Sequence, residues 1–337
     1  MDVNYDYGAN FKSISLKLKK KFLRKPNVSE AIEEYTALSK QLENEECFGL
    51  AGYCMQQVAK SYHSVGNTVS ESSALQSAAK QYLNSEISST IESGTITFNE
   101  DLLSSISIYE ECIRLHCDQN EKLLAAKLSL ELADMLAQKF DRHFESISYY
   151  EKAINLFLSA QNVNQQEQSP CFYVIFAQLK LAALKVFTCD YSGALSSYTD
   201  ICNLILTKCV QSPIGQNKTS TSNKSFQSVG APNTISSKPI GIYSRLLVES
   251  DISKLLLLLY LKPTKMKPEH TNTIEVYSLF QTLTSSNTNY LPVDCMDKDL
   301  FILLQSFVMA CQSNDFKILY TMQTELWPQF NHVNFFF

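Results

Sequence analysis

The sequence predicts an all-α fold, a superhelix of antiparallel helix pairs, and three observations carry that prediction. First, a small residue, an aromatic one and an apolar one recur at i, i+4 and i+7, the spacing of one helix face: Ala31-Tyr35-Leu38, Ser105-Tyr109-Cys112, Ser146-Tyr150-Ala153 and Ala194-Tyr198-Ile201. Second, Leu179–Leu204 reads as two short amphipathic helices joined by a tight turn at Cys189-Asp190-Tyr191. Third, nine glycines in 337 residues argue against a β-rich chain.

The small-then-aromatic spacing is that of a tetratricopeptide-type hairpin, in which a small residue lets two helices approach and an aromatic one a turn later fills the groove. The triplets start at 31, 105, 146 and 194, mostly further apart than the roughly 34 residues of a regular array, so the superhelix is expected to be irregular. The repeat positions Ala31, Tyr35, Tyr109, Tyr150, Ala153, Ala194 and Tyr198 are assigned to its core.

Taken in order, residues 1–11 are polar and expected to be mobile. Lys12–Lys25 interleaves Ile14, Leu16, Leu18, Phe22 and Leu23 with basic side chains, a weak helical pattern ended by Pro26. Asn27 with Glu30 is a capping pair for a helix from Val28 to about Glu46. Helices follow at Phe48–Ser64, stopped by Gly66-Asn67, and at Ser70–Ile91, stopped by Ser93-Gly94. Asn99 is expected to cap the next, and Leu123–Phe140 with Phe144–Leu158 form a further hairpin before the polar break NVNQQEQS. Ser169-Pro170 opens the helix that leads into Leu179–Leu204.

From Ser212 to Ile240 the chain holds three Pro, two Gly, ten Ser/Thr, three Lys and no acid, the composition of a disordered surface loop whose hydroxyls suit phosphorylation. Helices are expected again at Ile242–Leu261, Glu269–Leu283, Lys298–Cys311 and Asp315–Leu326, the last ending at Trp327-Pro328. The resulting division is a basic N-terminal segment (1–27), a helical array (28–211), the Ser/Thr/Pro loop (212–240), a C-terminal helical part of the same superhelix (241–330) and an apolar tail (331–337).

Composition narrows the function classes. Apolar residues at 45% and charged residues at 19% allow a substantial core. The net charge of −5 divides unevenly, with seven Lys/Arg against two Asp in residues 1–28 and a remainder near −10, so a nucleic-acid footprint across the body is not expected. The run Leu255–Leu261 is far shorter than the roughly 20 apolar residues of a spanning helix and reads as a core helix, so no integral membrane segment is expected. Ten cysteines without C-x-x-C spacing or an opening secretory signal read as reduced, mostly buried thiols of a cytoplasmic or nuclear protein.

No phosphate-binding glycine loop and no nucleophile elbow occurs, so no catalytic residue and no cofactor is assigned. Cys112, His116 and Cys117 share a helix and are half of a metal site; the other half is missing, because His63, His143 and His270 have no partner at ligand spacing. Core packing is the preferred reading there, as for Cys47/Cys54 and Cys202/Cys209, and no metal is assigned. The basic stretch has three readings: a solvated face, a nuclear-import or membrane-surface patch, or a docking segment for an acidic partner. Its interleaved apolar residues, with acids beginning at Glu30, make docking or packing under the array the more attractive.

KLKKKFLRKPNVSEA at Lys17–Ala31, DYSGAL at Asp190–Leu195, DISKLLLLLYLKP at Asp251–Pro263, PEHTNTIEVYS at Pro268–Ser278, LFILLQSFVMA at Leu300–Ala310 and MQTELWP at Met322–Pro328 together resemble the family of forty-kilodalton huntingtin-associated proteins. The resemblance spans nearly the whole chain and implies a tetratricopeptide-like protein in a stable one-to-one complex with huntingtin, wedged between its HEAT-repeat regions. It further implies an effector role for the small GTPase Rab5 at the early endosome, and presence in the nucleus as well. Candidate partner-binding residues are Lys17, Lys19, Lys20, Lys21, Arg24, Lys25 and Trp327. The alternative is a SNAP-type trafficking adaptor, which uses irregular helical hairpins to grip a coiled coil.

Overall fold

A computed structural model describes residues 7–18, 27–92, 94, 98–161, 169–209, 241–263, 265, 267–278 and 291–330. Every regular element among them is helical, and the helices gather into two compact units, 1–165 and 166–337. The division falls in NVNQQEQS, inside the array expected at 28–211.

The first unit contains α1 (Tyr7–Leu18), α2 (Val28–Asn44), α3 (Phe48–Val65), α4 (Thr68–Ile87), α5 (Glu100–Asp118), α6 (Lys122–Lys139) and α7 (His143–Gln161), each packed on the next. The second contains α8 (Ser169–Phe187), α9 (Tyr191–Leu204), α10 (Ile242–Leu261), α11 (Pro268–Ser278), the single turn α12 (Leu291–Cys295), α13 (Lys298–Ser313) and α14 (Phe316–Phe330). π-Helical turns at Ser88–Glu92 and Ile205–Cys209 extend α4 and α9. The architecture is the expected one, antiparallel helix pairs of a tetratricopeptide-like kind.

All four sequence triplets are buried, with Ala31, Ser105, Ser146, Ala153, Ala194 and Ile201 entirely out of solvent. Their first positions do more than make room. Ser105 Oγ donates to the carbonyl of Ala79 on α4 at 2.8 Å, and Ser146 Oγ to that of Ala133 on α6 at 2.7 Å. Ser39 does the same toward Ala51 at 3.1 Å, and Ser129 toward Tyr149 at 2.9 Å. A hydroxyl on a single carbon lies flat between two backbones, so a buried polar atom is satisfied without separating the helices. Gly52 serves the α3–α4 contact differently: a Cβ there would sit 3.0 Å from the Tyr82 ring.

The aromatic positions carry a hydroxyl that must also be satisfied. Tyr109 donates to Glu131 at 3.1 Å and Tyr150 to Asp134 at 2.5 Å. Burial, then the adjoining carboxylates, push both phenols above their usual range.

Chain order and caps follow the sequence at most ends. Asn27 accepts the Glu30 N–H, Asn67 the Ser70 N–H and Asp190 the Gly193 N–H, while Gly66 closes α3 in the left-handed region at φ 76°. Four expectations are corrected. The first helix begins at Tyr7, because Tyr7, Phe11 and Leu18 pack on the core beside buried Ile14, so the stretch before Lys12 is not wholly mobile. Asn99 does not cap α5 through its side chain; it adopts φ 58°, and Glu86 of α4 accepts the Leu102 N–H at 3.3 Å in its stead. The short α12 had no periodic signal, and α14 continues through Pro328 to Phe330. The loop 212–240 and the tail 331–337 lie outside the described residues.

α10 is buried nearly all round, as its leucine run implies, yet it carries a charged pair inside. Lys254 Nζ is 2.7 Å from Asp251 Oδ1, the two side chains being 7% and 0% exposed, and Tyr277 of α11 donates to Asp251 Oδ2 at 3.0 Å. No described helix is long and apolar enough to cross a membrane.

Candidate interaction surface

The half-site at Cys112, His116 and Cys117 is a closed hydrogen-bonded chain. His116 Nε2 lies 2.6 Å from Ser72 Oγ on α4, and its Nδ1 lies 2.7 Å from Glu121 just before α6. Cys112 Sγ is 3.4 Å from the same Ser72 hydroxyl, which also accepts from Gln76 Nε2 at 3.2 Å. A serine, a histidine and a carboxylate in that order have the connectivity of a hydrolytic triad, but catalysis also needs access and an oxyanion donor. Ser72 is 3% exposed, and its own N–H belongs to the second turn of α4, where it is tied into the helix. The chain therefore locks α4 to α5 and to the following turn. No group of three or more candidate metal ligands occurs among the described residues.

The thiols agree with that reading. Burial pushes Cys54 up to about 12 and Cys202 up to about 12, and it raises Cys112 as well, which leaves each protonated and unreactive at neutral pH. No described cysteine is in a disulfide.

Of the candidate partner-binding residues, the structure describes the side chain of Lys17. It bridges α1 to α2, with Nζ 2.7 Å from Glu30 and 2.5 Å from Glu34, and those two hydrogen bonds raise its pKa. Tyr7 adds a hydrogen bond to Glu45 at the other end of α1. Lys19, Lys20, Lys21, Arg24 and Lys25 lie outside the described residues, and Trp327 is placed on α14 without a described side chain. Glu30 and Glu34 are thus partners for Lys17 within the chain, a packing the charge pattern alone could not separate from docking on an external partner.

In the second unit a cavity of about 130 Å³ is lined by Thr199, Cys202, Asn203, Lys254, Glu269 and Asn272. Several of its polar groups are paired: Asn203 Nδ2 donates to Glu269 at 3.3 Å, Thr199 Oγ1 lies 3.2 Å from His270 Nε2, and Lys254 pairs with Asp251. Burial, then Lys254 and Lys267, lower the His270 pKa. Sequence reading missed this cluster because Asp251 and Lys254 look like ordinary surface charges flanking an apolar run; the signal available was that the run continues on both sides of them.

The exposed features are apolar. In the first unit Val65, Val69, Phe98 and Phe144 are more than 60% exposed, and in the second Phe187, Tyr260, Phe316 and Tyr320 are so. Stacked helix pairs with exposed apolar and aromatic groups have the make-up of a helical-repeat interaction protein.

Comparison with known proteins specifies the class. Residues 17–213 match the family described as Soluble NSF attachment protein, SNAP. Over 96% of its length the chain is 29% identical to the 40-kDa huntingtin-associated protein of Mus musculus and 30% identical to that of Rattus norvegicus, covering 88% of each. The chain belongs to the SNAP family and to the family of 40-kDa huntingtin-associated proteins.

Proposed function

We propose that this chain is a non-enzymatic interaction protein that forms a stable one-to-one complex with huntingtin, packed between huntingtin's HEAT-repeat regions and stabilising them. The observation that carries the reading is the similarity to two huntingtin-associated proteins along 96% of the chain. A ligand that binds only the folded state stabilises that state by mass action, so a large helical surface buried in a solenoid partner would stabilise both. The same reading gives it a role in Rab5-linked early-endosome motility and a place in the cytoplasm, at the endosome surface and in the nucleus. It requires no cofactor. Co-expression with full-length huntingtin followed by size exclusion tests it: one species of summed mass is expected, and two separately eluting proteins at micromolar concentration reject it.

The match of residues 17–213 to SNAP supports a second reading, an adaptor that grips a coiled coil. Binding to a four-helix SNARE bundle in the absence of huntingtin would favour it.

A further inference from the structure

In the first unit α1 lies in a groove between α2 and α3. Its residues Tyr7, Phe11, Ile14 and Leu18 follow one another at i, i+4, i+7 and i+11, one helix face, and all four pack on the core of the unit. The Phe11 ring stands edge-on to that of Tyr53 on α3, with centroids 5.5 Å apart, and 6.4 Å from that of Tyr35 on α2, so it sits between the two helices. Polar contacts fix the direction. Lys17 reaches Glu30 and Glu34 at the start of α2, and Tyr7 reaches Glu45 just past its end, so α1 runs antiparallel to α2. The Asn27 N–H donates to the Lys17 carbonyl at 3.3 Å, which sets the end of α1 beside the start of α2.

That helix is lightly held. Ile14 is its one buried side chain, against five on α2 and six on α3. At twelve residues it is marginal as a free helix, and exposed pairs such as those of Lys17 contribute little, so its undocking belongs to the low-energy openings of the unit. Nor does it fill the groove: Leu50 and Tyr53, one turn apart on α3, stay 46% and 44% exposed. Three acids line the α2 side, Glu30, Glu34 and Glu45, and one cation, Lys60, lies two turns beyond Tyr53 on the α3 side. Lys17 meets the first two acids, whereas Glu45 is met by the Tyr7 hydroxyl and the Gln41 amide.

We infer that the α2/α3 groove receives a basic amphipathic helix of a partner protein, and that α1 is the intrachain helix which the partner displaces. The chemistry of the occupant is written in α1 itself: aromatic or aliphatic residues at i, i+4, i+7 and i+11, with a Lys in the last turn for Glu30 and Glu34. A partner gains over α1 in two places, by covering Leu50 and Tyr53 and by bringing a cation in its first turn to Glu45. The α1 of a second copy has the same sequence and offers neither, so the occupant is a different protein. The groove is argued from α1's own contacts and does not depend on the huntingtin complex.

The test uses the full chain and a fluorescein-labelled peptide, Tyr-Ala-Lys-Lys-Phe-Lys-Ala-Ile-Ala-Leu-Lys-Leu, which keeps the α1 spacing and adds cations to the first turn. Anisotropy should show saturable binding, about tenfold tighter for a chain carrying Phe11→Ser with Ile14→Ser, in which α1 no longer competes for the groove. Tyr53→Ser should weaken binding about tenfold in that background. In the unaltered chain, peptide at saturation should quicken amide exchange across residues 7–18 while α2 stays protected. Circular dichroism monitors folding; if the double variant fails to fold, the exchange measurement on the unaltered chain carries the test. No saturable binding, equal binding of a counterpart peptide with Glu for Lys, equal affinity with and without α1 in place, or unchanged exchange in α1 would overturn the inference. A released variant that dimerises and thereby excludes the peptide would assign the groove to a second copy and overturn it as well.

Discussion

The carboxylate of Glu86, in the last turn of α4, accepts the backbone N–H of Leu102 at 3.3 Å, and so caps α5 from another helix. Thr90 donates to the same carboxylate at 3.0 Å, and the side chain is 2% exposed. Replacing Glu86 by Ala removes a charge-assisted cap and leaves a buried N–H without it. A loss of about 1–2 kcal/mol is expected in urea unfolding. Amide exchange in the first turn of α5 should quicken at the same time; unchanged exchange there would return the capping role to Asn99.

The Tyr150 hydroxyl and ring separate in the same way. Tyr150→Phe keeps the packing and loses the bond to Asp134, at a cost of about 1–2 kcal/mol, whereas Tyr150→Ala also opens a cavity and should cost about 3–5 kcal/mol. Equal losses for both variants would mean that the ring contributes nothing beyond its hydroxyl.

Gly52→Val is expected to lower stability by about 1–3 kcal/mol through overpacking, since even a Cβ would meet the Tyr82 ring at 3.0 Å. Combining it with Tyr82→Ala should recover part of that loss, and a strictly additive double variant would rule out the contact as the cause.

The buried pair on α10 is asymmetric to mutation. Lys254→Met strands the Asp251 charge and is expected to cost about 3–5 kcal/mol, while Lys254→Met with Asp251→Asn should be much closer to wild type. A double variant as unstable as the single one would show that the pair is valued for its other contacts, such as the Tyr277 hydroxyl.

Acid should loosen the second unit through His270. Its folded pKa is lowered from the ordinary 6.5 by burial, then Lys254 and Lys267, with Glu269 opposing and Thr199 at its Nε2. Between the lowered value and 6.5 the unfolded chain binds a proton that the folded chain does not, so stability rises with pH across that window and its contribution is lost as pH falls through it. Urea midpoints at pH 7 and pH 5 should differ less for His270→Gln than for wild type.

For the basic segment, Lys17→Glu should lower the unfolding midpoint slightly, because it replaces the bridge from α1 to α2 by a third carboxylate beside Glu30 and Glu34. Reversing Lys19, Lys20, Lys21 and Arg24 to Glu should weaken complex formation at constant helicity; retained binding would make the stretch a solvated face.

Much of the fold was legible because a helix pair writes its contact into local spacing. The Ser146-Tyr150-Ala153 face needed no partner to be recognised, and Asn27, Gly66 and Asp190 end or begin helices by chemistry confined to a few residues. The helix boundaries at Phe48, Lys298 and Leu261 follow for the same reason. What failed to show was whatever depends on a second helix. Nothing local distinguishes Glu86 from Glu71, the other acid of α4, or tells that Ser105 and Ser146 aim their hydroxyls at the carbonyls of Ala79 and Ala133. Lys17 reads as a partner-facing cation until Glu30 and Glu34 are brought beside it.

The sequence by itself determined an all-helical chain, the core faces of its hairpins, the absence of a nucleotide loop and the family. Tertiary structure decided how polar atoms in that core are satisfied, that Cys112 and His116 belong to a closed hydrogen-bond chain with Ser72, and that Tyr191 and Tyr260, distant along the chain, meet edge to face. The physical reason is range: helical periodicity and capping act over four residues or so, whereas a hydrogen bond or a patch across helix ends depends on which ends the packing brings together.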